Sequence, residues 1–358
     1  MQLTGVLGAT NFDRTRLRRK VLIGLQRSLY FSGVTGLYER FTDRGGFLAL
    51  MYHSVLDSAR IPFIDPSNAI PADVFEEQLV LLKETCNVIS LEQAIEYHRG
   101  ARALPENAVV ITFDDGYLDN FEVAAPLLAK YKLPATLFVC TGYVDRQEPQ
   151  WIDELYTAFQ FGRARQLVLP QYPIPFALDH ARGVLDAYQF VSAQLLTLGY
   201  AERRALLDTV KAQLDPSREA PRLTLSWDDL RAMRREYPDF TLGVHTHDHI
   251  DLSGLPVAHA VAEIRKSQRL FQSELGYAAR YLTYPYGRIS HPLVDRLPDL
   301  GIEAAFITQP TDRVTRNTGV YAMPRFEVTE SLVDLRMWGG GALPELGRQI
   351  FGRVADQV

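Results

Sequence analysis

Two aspartates stand side by side in ITFDDGYLDN (residues 111–120), directly after the apolar run AVVITF, and three histidines crowd into FTLGVHTHDHIDL (residues 240–252). Adjacent like charges repel, and Asp114 and Asp115 have no basic residue within three positions. His245, His247 and His249 are three of only eight histidines in the chain. A carboxylate plus two imidazoles from separate strand ends is a sound donor set for a divalent catalytic metal. It fills three positions and leaves others for water and substrate. The chemistry this permits is hydrolysis. A bound metal lowers the pKa of water from about 15.7 towards about 7, so a second carboxylate can finish removing its proton near neutral pH. Each motif alone has a plainer reading: the DD pair as a solvated turn, with Asp115 capping the helix that begins near Leu118, and HxxxH as a surface loop. Both at strand ends of one framework favour the chemical reading.

The elements that must hold these groups alternate strand and helix. FLALMYH, AVVITF, ATLFVC, FTLGV, RYLTY and AAFIT read as strands. Between them PADVFEEQLVLLKET, DNFEVAAPLLAKYK, PVAHAVAEIRKSQRLFQSEL and HPLVDRLPDL read as helices. This rhythm predicts a parallel sheet, open or closed into a barrel, with its site at the C-terminal strand ends. From Gly142 to Tyr237 the rhythm changes: Pro-rich LPQYPIPF is an irregular or two-stranded excursion, and the rest is mostly helical. That stretch reads as an insertion into the framework. The 358 residues suffice for one large α/β domain or two smaller ones, and 47% hydrophobic content is that of a soluble globular protein. A net charge of −5 gives no footprint for nucleic acid. Cys86 and Cys140 read as reduced core thiols.

With TYPYG (Thr283–Gly287) added, the sequence resembles the polysaccharide deacetylase family and its NodB homology domain. The family's TFDDG is intact as Thr112–Gly116, and its His-Ser/Thr-x-x-His is His245 to His249. Its Arg-x-Pro-Tyr/Phe-Gly is present only as Thr283-Tyr284-Pro285-Tyr286-Gly287. The resemblance covers roughly residues 45 to 330. It implies an α/β fold of the distorted (β/α) barrel type, often with seven strands, with Asp115, His245 and His249 as metal ligands and Asp114 as catalytic base. His247 falls between ligand positions and reads as loop packing. The backbone N–H of Tyr286 is implied as oxyanion donor, and the metal as Zn2+, with Co2+, Ni2+, Fe2+ or Mn2+ as alternatives. The substrate implied is an N-acetylated glycan or a lipid-linked glycan precursor, of exopolysaccharide or lipopolysaccharide type.

Two departures from the family pattern need substitutes. Thr283 stands where the family has the arginine that holds the base, and no histidine follows His291 to supply the late general acid. His53, at the end of an early strand, is the candidate acid; some exopolysaccharide-processing members carry a similar early YH segment. Arg325 in MPRFEV is the candidate partner of Asp114. Tyr117, Trp151 and Trp227 are candidates for holding sugar rings, the two tryptophans flanking the insertion. Competing readings are a C–N hydrolase of small cyclic amides or ureides, a silent glycan-binding module, and a non-haem iron oxygenase. The last fits poorly, because its carboxylate ordinarily lies in a His-x-Asp/Glu motif.

The chain divides into an N-terminal segment (1–44), a catalytic domain (45–335) with its insertion at about 145–237, and a C-terminal tail (336–358). No secretory pattern opens the sequence, so the expected location is cytoplasmic. Residues 14–31 are basic, with Leu17, Val21, Leu25 and Leu29 at intervals of four. That pattern suits a helix whose apolar stripe packs on the barrel with its arginines solvated, or an amphipathic helix in peripheral contact with the inner membrane face.

Overall fold

The computed structural model describes residues 45–57, 60–169, 172–308 and 313–339. The basic segment at residues 14–31 and most of the C-terminal tail lie outside the described residues. Strand β1 (Leu48–Tyr52) leads through β2 (Ser54–Leu56) and β3 (Ala69–Pro71) into helix α1 (Ala72–Thr85). Then come β4 (Asn87–Val88), α2 (Leu91–His98), β5 (Ala108–Phe113), α3 (Ala125–Tyr131), β6 (Ala135–Val139) and α4 (Thr141–Arg146). The stretch of altered rhythm holds α5 (Trp151–Gln160), the hairpin β7 (Gln166–Leu169) and β8 (Tyr172–Ala177), α6 (Ala181–Leu196), α7 (Tyr200–Leu214) and α8 (Trp227–Glu236). β9 (Phe240–Val244), α9 (Val257–Leu275), β10 (Tyr281–Thr283), α10 (His291–Val294), β11 (Ala304–Thr308), β12 (Met323–Glu327) and α11 (Leu332–Gly339) follow.

Seven parallel strands close a barrel in the order β1-β12-β11-β10-β9-β6-β5, and β5 pairs back to β1 from Leu48↔Val109 to Tyr52↔Phe113. The closure is uneven. The far edge of β5 is shared, with β4 at Ala108 and Val109 and β6 at Thr112 and Phe113. Strands covered on both faces read as continuous apolar runs, which is why AVVITF is buried at all six positions. Its alternate residues serve two cores: Val109, Ile111 and Phe113 pack outward with Leu79 and Leu82 of α1, while Ala108 and Val110 join Phe138, Phe306 and Met323. The two-residue period that places Val110 and Thr112 on one face brings Asp114 onto it at the strand's end.

Two helices depart from the sequence reading. HPLVDRLPDL is α-helical only over His291–Val294, and Pro298 opens a separate 3-10 turn to Leu300. DNFEVAAPLLAKYK starts as a wide π turn at Asn120–Ala124 before α3, whose first turn holds Pro126. Proline lacks the amide hydrogen that an uninterrupted helix needs. The insertion has its own core, in which Leu155, Tyr156, Tyr188, Val191, Leu207 and Val210 pack together, and that core reaches Tyr286 of the barrel.

Candidate active site

Asp114 and Asp115 follow β5, His245 follows β9, the TYPYG segment spans the end of β10, and His53 follows β1, so one end of the barrel collects them all. Local backbone turns them inward. Of eight non-glycine residues with positive φ among the described residues, four lie here: Asp115 (76°), Thr246 (65°), His249 (47°) and Tyr286 (61°). Left-handed backbone costs a residue with a Cβ, and such strain concentrates where side chains must be aimed. Gly287 is required at its position, since a Cβ would meet the Thr308 amide nitrogen at 2.5 Å.

The two aspartates have opposite surroundings. Asp115 Oδ1 lies 3.5 Å from His245 Nε2 and 3.5 Å from His249 Nε2. Burial, reinforced by Asp114 and Asp153, pushes the Asp115 carboxyl well above the usual aspartate range. Burial likewise lowers both imidazoles, His249 strongly. A carboxylate oxygen 3.5 Å from two imidazole nitrogens, in a site where burial disfavours charge on all three groups, is a donor set fitted to a divalent metal. For Asp114 burial is again the largest single influence and pushes upward, but the Arg325 guanidinium, His245 and His53 together outweigh it and hold the carboxyl below its ordinary value. Arg325 donates from Nη1 to Oδ1 at 2.7 Å and from Nη2 to Oδ2 at 2.6 Å, a two-pronged contact from within β12. A third bond, 3.0 Å to Thr112 Oγ1, fixes the fork.

Thr283, where the family motif has arginine, contacts His245 Nδ1 through its backbone oxygen at 2.9 Å and its hydroxyl at 2.6 Å. Donation from Nδ1–H to that carbonyl leaves the Nε2 lone pair free towards Asp115. Cys140 is a fourth nearby donor. Its thiol is buried, lies 3.7 Å from Asp115 Oδ1, and groups with Asp115, His245 and His249 within 4.8 Å. Its position at the end of β6, matching the other strand ends, was the available signal in the sequence. His247 packs the loop, with Nδ1 3.0 Å from Thr141 Oγ1 and burial lowering its pKa to about 4.

A pocket of about 280 Å³ opens onto this group, lined among others by His53, Asn68, Trp151, Ser192, Tyr286 and Glu327. Burial lowers the His53 pKa, while Asp114 and Glu327 oppose that shift. Trp151 donates to Tyr286 Oη at 3.2 Å, and the Tyr286 ring meets His249 edge-on at 4.8 Å. Two of the aromatic candidates do not line the pocket. Tyr117 is buried beside Phe63 and Leu223, its hydroxyl donating to Asp153 Oδ2 at 2.7 Å. Trp227 packs on Phe271 of α9 and donates to Asp145 at 3.2 Å. Both sit where elements pack against one another, which gives an aromatic as much reason to exist as a sugar does.

The sequence model of the polysaccharide deacetylase family matches residues 101–166 and 172–305. A poly-beta-1,6-N-acetyl-D-glucosamine N-deacetylase of Escherichia coli K12 is 31% identical over 135 residues, which are 37% of this chain and 20% of that protein. The match therefore spans only a fifth of that relative's length. Among solved structures, the Streptococcus pyogenes deacetylase PplD superposes with a TM-score of 0.55 at 17% identity, covering 83% of this chain and 99% of that one. IcaB from Ammonifex degensii gives 0.55 at 20% identity, covering 83% and 98%. The structural likeness establishes the shared barrel, and the family match runs through both the aspartate pair and the histidine loop: the chain belongs to the polysaccharide deacetylase family.

Proposed function

We propose that the protein is a metal-dependent N-deacetylase that hydrolyses the acetamide of an N-acetylated sugar in a glycan or glycolipid precursor. The observation that carries this reading is the division of labour between neighbouring aspartates. Asp115 faces two imidazoles, while Asp114 is held ionised by Arg325. Asp115, His245 and His249 would hold the metal, with Cys140 within reach, and two imidazoles with a carboxylate suit Zn2+. Such a metal supplies a water acidic enough to ionise near neutral pH and polarises the acyl oxygen.

The chain's own groups perform the remaining steps. Asp114 takes the proton of the attacking water, with Arg325 keeping it ionised and aimed. Tyr286 is the second residue of the turn Pro285–Gly287, so its N–H has no acceptor within that turn and is available to the oxyanion. His53 gives a proton to the departing nitrogen, releasing acetate and a free amine. Trp151 offers one wall of the pocket to a sugar ring.

The test is acetate release by the purified protein from N-acetylglucosamine oligosaccharides and lipid-linked N-acetyl sugars, with cyclic ureides as a parallel arm. Asp115→Asn and His245→Ala should lose bound metal and activity together. Asp114→Asn should keep its metal and lose turnover. Turnover of ureides alone, or loss of metal in Asp114→Asn with retention in Asp115→Asn, would overturn the assignment.

A further inference from the structure

The two candidate ligand histidines are held in different ways. His245 is fixed through its ring, by Thr283 at Nδ1. His249 Nδ1 is buried without a hydrogen-bond partner. What holds His249 is its backbone carbonyl, which accepts from Arg203 Nη1 at 3.1 Å and, at 3.4 Å, from the Tyr286 hydroxyl. His249 has a left-handed φ of 47°, a conformation that costs a residue with a Cβ and that surrounding contacts such as these must offset.

Arg203 belongs to α7 of the insertion, far along the chain from either motif, and only 1% of it is exposed. Its guanidinium also donates from Nη1 to the carbonyl of Asp248 at 3.2 Å. On its other side it donates from Nε to Leu195 O at 3.1 Å and from Nη2 to Leu198 O at 3.1 Å. Leu195 lies in the last turn of α6 and Leu198 two residues past its end, where the helix dipole favours a cation. The same guanidinium lies 5.4 Å from the ring centre of Trp151, which in turn donates to Tyr286. One planar cation thus ties the end of α6, the pocket wall and the His249 loop together. A fork with donors on both sides does this; a single-point ammonium does not.

We propose that Arg203 is a positioning residue for His249, which makes the helical insertion a working part of the metal site as well as a wall of the pocket. The proposal rests on the metal-dependent reading above. Groups that orient a metal ligand from behind typically change affinity by about 10–100-fold when removed.

The experiment uses the full chain and reads metal binding directly. Zn2+ affinity is measured by competition with a chromophoric chelator, and the coordination geometry from the visible spectrum of the Co2+-loaded protein. Arg203→Met should weaken Zn2+ binding by about 10–100-fold and alter the Co2+ spectrum, with Arg203→Lys recovering part of the loss. Leu207→Ala, one turn along α7 in the insertion's core, is the packing control: it should lower Tm while leaving affinity and spectrum unchanged. Wild-type affinity and spectrum in Arg203→Met would overturn the proposal. So would equal weakening in Leu207→Ala, which would reduce the arginine to general packing. If Arg203→Met does not fold, wild-type affinity in a folded Arg203→Lys protein overturns it as well. Failure of the wild-type protein to bind metal would sink the metal-dependent reading itself.

Discussion

Asp114 and Asp115 are chemically the same residue, one position apart, and their neighbours separate them. The cation that separates them comes from β12, whereas the family motif places an arginine at the end of β10. That relocation frees the Thr283 position to hold His245. It also makes a test of the base possible. If Arg325 keeps Asp114 ionised, removing the cation raises the Asp114 pKa. The base works only when ionised, so the acidic limb of kcat/KM should move to higher pH in Arg325→Met. Arg325→Lys keeps a charge there and should shift it less. Superimposable acidic limbs for all three proteins, with metal content checked, would rule the role out. His53 is tested separately: His53→Ala should lower kcat by about 10²–10⁴ with metal content unchanged. Near-normal turnover would remove His53 as the acid.

At the scale of elements, the barrel strands were legible because each is covered on both faces and so reads as an apolar run. The aspartate pair and the histidine loop were legible because their donors are close in sequence. Thr283, Cys140 and Arg203 acquire their roles only when separate elements meet: Thr283 was visible only as a missing arginine, Cys140 only by its place at a strand end, and nothing local distinguishes Arg203 from an ordinary helical arginine. Tyr117 and Trp227 were ambiguous for a related reason, since an aromatic near a motif looks the same in sequence whether it meets sugar or a neighbouring helix. The insertion is joined to the barrel by a buried polar seam as well as by Arg203. Asp153 of α5 accepts from the Asp65 amide at 2.9 Å and from Tyr117, and Tyr188 of α6 donates to Asp65. Burial raises the Asp153 pKa from 3.8 to about 8, against those hydrogen bonds. A carboxyl raised in the folded state contributes stability that is full below its unfolded pKa. That contribution is lost as pH rises, until the folded group ionises too. Between about pH 4 and pH 8 the wild-type Tm should therefore fall relative to that of Asp153→Asn, in chelator-treated protein. Parallel Tm curves over that window would show that Asp153 titrates normally.

For the whole molecule the open question is where the barrel meets its substrate. Among the described residues no helix is long and apolar enough to cross a membrane. The N-terminal sequence offers another kind of contact. Arg14, Arg16, Arg18, Arg19, Lys20 and Arg27 sit among Leu17, Val21, Leu25 and Leu29 with no acidic residue between positions 14 and 31, in a chain whose net charge is −5. Apolar residues at helical spacing flanked by cations suit an interface of anionic headgroups, where burial and attraction add. Such an anchor would hold the barrel beside a lipid-linked glycan, which is the glycolipid form of the proposed substrate. The electrostatic share should weaken with salt, since the screening length is about 10 Å at 0.1 M and about 3 Å at 1 M. Full-length protein should therefore sediment with vesicles containing anionic lipid and be released as salt rises. Deleting residues 1–32 should abolish that binding while leaving turnover of a soluble N-acetyl oligosaccharide unchanged. Equal partitioning of the two proteins at low salt would remove the anchor, and the substrate would then have to be one that reaches the barrel through solution.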